Sequence, residues 1–148
     1  MPMTSTKSPL VAITDDDPDD RDLLATAFGE AGIEHQLVLL EGGADLLAYL
    51  RRARNGTDGA TLPALLLIDL NMPGIDGHQA LREIRADPLL AHIPVVILST
   101  SRSATDCLRS HQRGANAFVS KPSGYHALVD AARGLLRFWL EVARLPAP

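Results

Sequence analysis

Five aspartates fall within six residues of the stretch VAITDDDPDD, Val11 to Asp20, directly after an apolar run that reads as a buried strand. Like charges this close repel, so local structure or a cation has to offset them. Asp17 is a good N-cap, Pro18 suits the first helical position, and Asp19 and Asp20 fall in a first turn where the helix dipole favours negative charge. Asp15 and Asp16 are left over. Other groups able to do chemistry end later apolar runs: Asp69 after LLLI, Ser99 and Thr100 after VVIL, and Lys121 after FVS. Three carboxylates brought together cannot all stay ionised unless a cation joins them. Mg²⁺ is the natural candidate, because it takes carboxylate, carbonyl and water oxygens and keeps coordination sites for phosphate. Asp69 could ligate it and still offer one oxygen to attack a phosphoryl group, forming an aspartyl phosphate. Lys121 and the metal would neutralise charge on the equatorial oxygens, and a hydroxyl from the fourth run would hydrogen-bond the product.

For these groups to meet, the elements carrying them must run in parallel. Short apolar runs recur at Leu10–Thr14, Gln36–Leu40, Ala64–Leu70, Pro94–Thr100 and Ala117–Ser120. Helical patterns follow each, over Asp20–Gly32, Ala44–Arg54, Asp76–Ala86, Ala104–Arg113 and Gly124–Arg144. ALLLIDL and PVVILST do not alternate, which predicts strands covered on both faces. Five β–α units with short connections predict an α/β fold: a doubly wound parallel sheet with right-handed crossovers and helices on both faces. In such sheets ligands bind at the carboxyl ends of the strands, where the acids, hydroxyls and lysine above fall. Within NMPGIDG, Pro73–Gly74 suit a type II turn, and Asp76 with Gln79 resembles a capping box.

Composition narrows the class of protein. A chain of 148 residues, 46% hydrophobic and 22% charged, is an ordinary globular balance for one domain. LPALLLI is far too short to cross a bilayer. MPMTSTKSPL lacks the apolar core of a signal peptide, so residues 1–9 are expected to form a disordered lead. The single Cys107 fits a reducing cytoplasm. A net charge of −4 without a basic arm argues against nucleic acid. Cys107, His78, His92, His111 and His126 show no ligand spacing and read as structural or solvent-facing.

Together, DD after the first strand, LLLIDLNMPGIDG around Asp69, VVILSTS and FVSKP resemble the receiver domain of two-component response regulators, over about Leu10 to Arg144. The resemblance implies a flavodoxin-like sheet of strand order 2-1-3-4-5, a single receiver domain over residues 10–145, and no output domain. It implies a regulator that is not itself an enzyme, takes a phosphoryl group from a sensor histidine kinase and signals through protein contacts. Asp69 would be the phosphoacceptor. Asp16 and the backbone carbonyl of Asn71 would join Asp69 on Mg²⁺, with Asp15 acting through metal-bound water. Ser99 would be the switch hydroxyl, Lys121 the phosphate counter-ion, and Phe118 the aromatic that moves with the switch. Thr100, bulkier than the small residue many receivers carry there, would slow access to the phosphoryl group. TDDDPDD and the ending FWLEVARLP also resemble small single-domain regulators that partner bacterial phytochrome kinases, although Asp15 replaces the glutamate common in that subgroup. By the same resemblance the Lys121–Pro122 bond is expected to be cis.

Two other classes compete with this reading. The D-x-D in DDDPD suits an aspartate-nucleophile phosphatase, but the late acidic pair and cap that such enzymes need are missing. A receiver-like interaction module without phosphotransfer is the second; the complete set of Asp15, Asp16, Asp69, Ser99 and Lys121 speaks against it. The final helix adds a partner expectation. Leu128, Val129, Ala132, Leu136, Trp139 and Ala143 make one apolar stripe, assigned to the sheet. Ala131, Leu135, Phe138, Val142 and Leu145 make a second, roughly 110° away. That second stripe predicts a homodimer through the face carrying the last helix.

Overall fold

A computed structural model describes residues 8–144. Five parallel strands, β1 (Leu10–Thr14), β2 (Gln36–Leu40), β3 (Leu65–Asp69), β4 (Val95–Ser99) and β5 (Ala117–Ser120), form one sheet in the order β2-β1-β3-β4-β5. Helices α1 (Pro18–Glu30), α2 (Gly43–Asn55), α3 (Gly77–Ala86) and α4 (Ala104–Gln112) fill the crossovers, and α5 (Tyr125–Leu136) follows β5. The doubly wound order expected from the sequence is therefore observed.

The non-alternating strands are central, as their composition predicts. All five residues of β4 are buried, as are four of the five in both β1 and β3. Alternate residues of these strands serve opposite layers. Ala12, Leu66, Ile68, Val95 and Ile97 pack with Leu46, Leu50, Leu81 and Ile84 of α2 and α3. Val11, Ile13, Leu67, Val96 and Leu98 pack with Leu24, Phe28, Leu128 and Leu136 of α1 and α5. The edge strands β2 and β5 are only partly covered, and α4 buries just Ser110.

Most element ends fall within a residue or two of expectation, and two segments differ in kind. The loop over residues 54–63 contains a short 3₁₀ turn, Thr57–Gly59. The last helix does not stay α-helical to Arg144: α5 stops at Leu136, a π-helical turn spans Arg137–Val142, and Ala143 is extended. Widening the turn breaks the 100° phase on which a continuous second stripe depends. Trp139 and Leu140 both pack on the core, and Leu135 faces it too. Phe138 and Val142 remain exposed, at 49% and 66%. Leu145 of the expected dimer face and most of the N-terminal lead lie outside the described residues.

Candidate functional site

The carboxyl edge of the sheet gathers the predicted groups. Each is delivered by a strand end whose apolar residues anchor it on both faces. Asp15 directly follows β1 and is buried. Its backbone N–H donates to the Leu40 carbonyl at 3.1 Å, and the Arg21 guanidinium donates to its carbonyl at 2.8 Å. The Asp17 N–H donates to its Oδ1 at 3.0 Å. Asp17 caps α1 as expected, accepting from the N–H groups of Asp19 and Asp20. Asp69 ends β3.

Oxygens of Asp15, Asp16 and Asp69 lie within 4.8 Å of one another. All are hard oxygen donors, the set a divalent cation such as Mg²⁺ prefers. Asn71 follows on the exposed β3–α3 loop. Two glycines let that loop pack closely, Gly77 against the end of β3 and Gly43 between the loop and α2. A Cβ on Gly77 would stand 2.8 Å from the Asp69 carbonyl oxygen and 3.0 Å from Leu70 Cα, and one on Gly43 would overlap the Ile75 backbone. Gly74, at φ 75, supplies the left-handed residue of the turn. Asp76 accepts from the Gln79 N–H at 2.9 Å, so the capping half of the expected box is present.

Lys121 leaves β5 with its N–H bonded to the Ser99 carbonyl. Its ammonium lies 2.8 Å from Asp15 Oδ2, 3.5 Å from Asp20 Oδ2 and 4.0 Å from Asp69 Oδ1. The Lys121–Pro122 bond is trans, contrary to expectation. Trans is the ordinary state of X-Pro bonds, about 95% of them in folded chains, and the ammonium reaches the carboxylates without the cis form. Asp20, which sequence reasoning assigned wholly to the helix dipole, also faces Lys121. Nothing local could reveal that, because the pairing spans most of the chain.

Electrostatics single out Asp69. Burial pushes its carboxyl up to about 6; Asp15 and Asp16 act in the same direction, against the Lys121 ammonium and the Asn71 backbone. Such a shift shows a charge held without full compensation, the condition a bound cation relieves. For Lys121, burial favours the neutral amine. Its hydrogen bond to Asp15 and the charges of Asp69, Asp15 and Asp20 more than offset this, so it titrates above an ordinary lysine.

The fourth strand separates its two hydroxyls. Ser99 is fully buried, while Thr100 is exposed at the rim. Ser99 Oγ accepts from the Ser101 N–H at 3.1 Å, and Ser101 Oγ donates to Asp106 of α4 at 2.6 Å. Ser120 Oγ donates to the Ser101 carbonyl at 3.1 Å, tying β5 to the same loop. Phe118, half-buried on β5, packs against the layer formed by α2 and α3. His78, expected to be structural or solvent-facing, lies 3.3 Å from the buried Ser110 hydroxyl; burial lowers its titration, helped by Arg113.

A doubly wound sheet whose carboxyl edge carries three acids, a buried serine and a lysine sets cation- and anion-binding groups where such folds bind ligands. The model of the response regulator receiver domain matches residues 11–133, and this chain belongs to that family. It is 32% identical over 138 residues to the response regulator Rcp1 of Synechocystis, covering 93% of each chain. It superimposes on the Mn²⁺-bound form of Rcp1 with a TM-score of 0.80 at 31% identity, over 94% of this chain and 99% of the other. The phosphorylated cyanobacterial phytochrome response regulator RcpA gives 0.84 at 33%, covering 95% and 99%. RPA3017, a response regulator in red light signalling of R. palustris, gives 0.87 at 34%, again covering 95% and 99%. Phosphorylation on an aspartate and binding of a divalent cation at the acidic pocket are properties of this family, and Asp15, Asp16 and Asp69 form that pocket here.

Proposed function

We propose that Asp69 is the phosphoacceptor and that the domain is charged by a sensor histidine kinase of the phytochrome type. The observation carrying this reading is the juxtaposition of Asp69 with two further carboxylates and the Lys121 ammonium at the end of a buried strand. An Asp69 carboxylate oxygen attacks phosphorus, the bond from phosphorus to the donor's imidazole nitrogen breaks, and the nitrogen keeps the electron pair. Asp16, Asp69 and the Asn71 carbonyl would hold Mg²⁺, with Asp15 reaching it through water. Bound there, the metal supplies positive charge to the transferring oxygens. Lys121 supplies the second positive group, and Ser99 donates its hydroxyl to the product. Turning to the phosphoryl group would take Ser99 off the Ser101 N–H, and Ser101 bonds both Asp106 and Ser120, so the change would reach α4 and β5. Phe118 on β5 would follow that movement, and Thr100 at the rim would restrict access to the phosphoryl group.

Support for the partner comes from RcpA and RPA3017, whose descriptions name phytochrome and red light and which match nearly all of this chain. As for the chain as a whole, one receiver domain over residues 10–145 would act in the cytoplasm through protein contacts, without catalysing a reaction on a separate substrate. No helix among the described residues is long and apolar enough to cross a membrane. Copies would pair through the face bearing Phe138 and Val142, the strongly exposed members of the expected stripe among the described residues. Incubation with acetyl phosphate and Mg²⁺ should add the mass of one phosphoryl group, lost with EDTA and with Asp69→Asn. Labelling that survives Asp69→Asn would overturn the assignment.

A further inference from the structure

On its inner side Lys121 closes, with Asp15 and Asp69, a gap over the apolar core too small for a water molecule; on its outer side it lines a cavity of about 350 Å³ with Asp20, Thr100, Arg102 and Pro122. Of the three carboxylates around its ammonium, Asp69 is the most distant, at 4.0 Å against 2.8 Å for Asp15 and 3.5 Å for Asp20. Asp20 is not needed to cap α1, because Asp17 already serves the first free N–H groups. Its carboxylate, 47% exposed, has Lys121 as its one ion-pair partner among the described residues.

We infer that Asp20 is a positioning residue for Lys121, holding the ammonium toward the outer cavity in the resting protein and competing with an arriving phosphoryl group for it. The inference rests on Asp69 as the phosphoacceptor. Reaching a phosphoryl group on Asp69 draws the Lys121 ammonium, now 4.0 Å from that carboxylate, off the Asp20 carboxylate 3.5 Å away, so the Asp20 pair is given up as the site is charged. The opposing pull raises the threshold for charging. Asp15 does not impose the same competition, since its carboxylate clusters with that of Asp69 and would share the metal. The fifth aspartate of the opening cluster thereby acquires a role that neither capping nor metal binding provides.

Beryllofluoride with Mg²⁺, titrated by ¹⁹F NMR, tests this directly as a phosphoryl mimic. Asp20→Asn should tighten beryllofluoride binding about threefold, the size expected of a partly exposed ion pair. Asp19→Asn, which removes an equal charge from the same helical turn, should leave it unchanged. In a Lys121→Met background the Asp20→Asn gain should largely vanish. Unchanged or weaker binding by Asp20→Asn would overturn the inference, as would an equal gain from Asp19→Asn. A gain undiminished without Lys121 would do so too, since Asp20 would then simply repel the anion. If the wild type itself binds no beryllofluoride, the phosphoacceptor reading fails and takes this inference with it.

Discussion

Burial holds the Asp69 carboxyl at about 6, against an ordinary 3.8, with Asp15 and Asp16 adding to the shift. Between those two values the folded protein keeps a proton that the unfolded chain has released. The folded state therefore binds more protons, and this group's contribution to stability falls as pH rises. Metal-free wild type should lose melting temperature relative to Asp69→Asn between about pH 4 and pH 7, and Mg²⁺ should restore more of it at pH 7 than at pH 5. A difference between the two proteins that stays flat with pH would contradict a buried, uncompensated Asp69. Asp15, Asp16, Asp69 and Lys121 were legible in the sequence because each ends an apolar run, and run ends share one sheet edge. The contact from Asp20 to Lys121 was not, since α1 and the end of β5 meet only in the folded chain.

At the scale of elements, the β3–α3 loop is held by close backbone approach as well as by the buried side chains of Leu70 and Met72. Gly77→Ala would drive a methyl against the Asp69 carbonyl and Leu70 Cα, both backbone atoms that cannot swing aside. A loss of about 1–3 kcal/mol follows for such overpacking, together with weaker Mg²⁺ binding, because the strained carbonyl belongs to a proposed ligand residue. Urea unfolding and a Mg²⁺ titration of the variant check both, and a variant of wild-type stability would contradict the close approach. Strands were the most legible elements: uninterrupted apolar runs such as LLLI and VVIL have no amphipathic reading except burial on both faces. The end of α5 was the least legible. Its residues fit a 100° repeat well, but Trp139 and Leu140 both find core contacts once the turn widens into a π-helix. Local periodicity cannot anticipate that. Gly43 escaped notice likewise, its constraint coming from Ile75 across 32 residues.

Considered whole, the molecule presents its acidic edge and its C-terminal turn as separate surfaces. Phe138 and Val142 stand out from that turn, and the Phe138 ring meets Trp139 edge-on at 5.0 Å. Neighbouring exposed apolar groups favour a protein contact. Light scattering at micromolar concentration should report about twice the 15.9 kDa chain mass, and Phe138→Glu should return it to monomer; a monomeric wild type, with and without phosphorylation, would end the dimer proposal. The central claim, that the whole fold converges on one carboxylate, has a more direct test. After reaction with acetyl phosphate and Mg²⁺, borohydride reduces an acyl phosphate to an alcohol, marking the residue that carried it. Peptide mass spectrometry should then find position 69, and no other aspartate, converted to homoserine. Conversion at Asp15 or Asp16, or none anywhere in protein that carries the phosphoryl mass, would contradict the account.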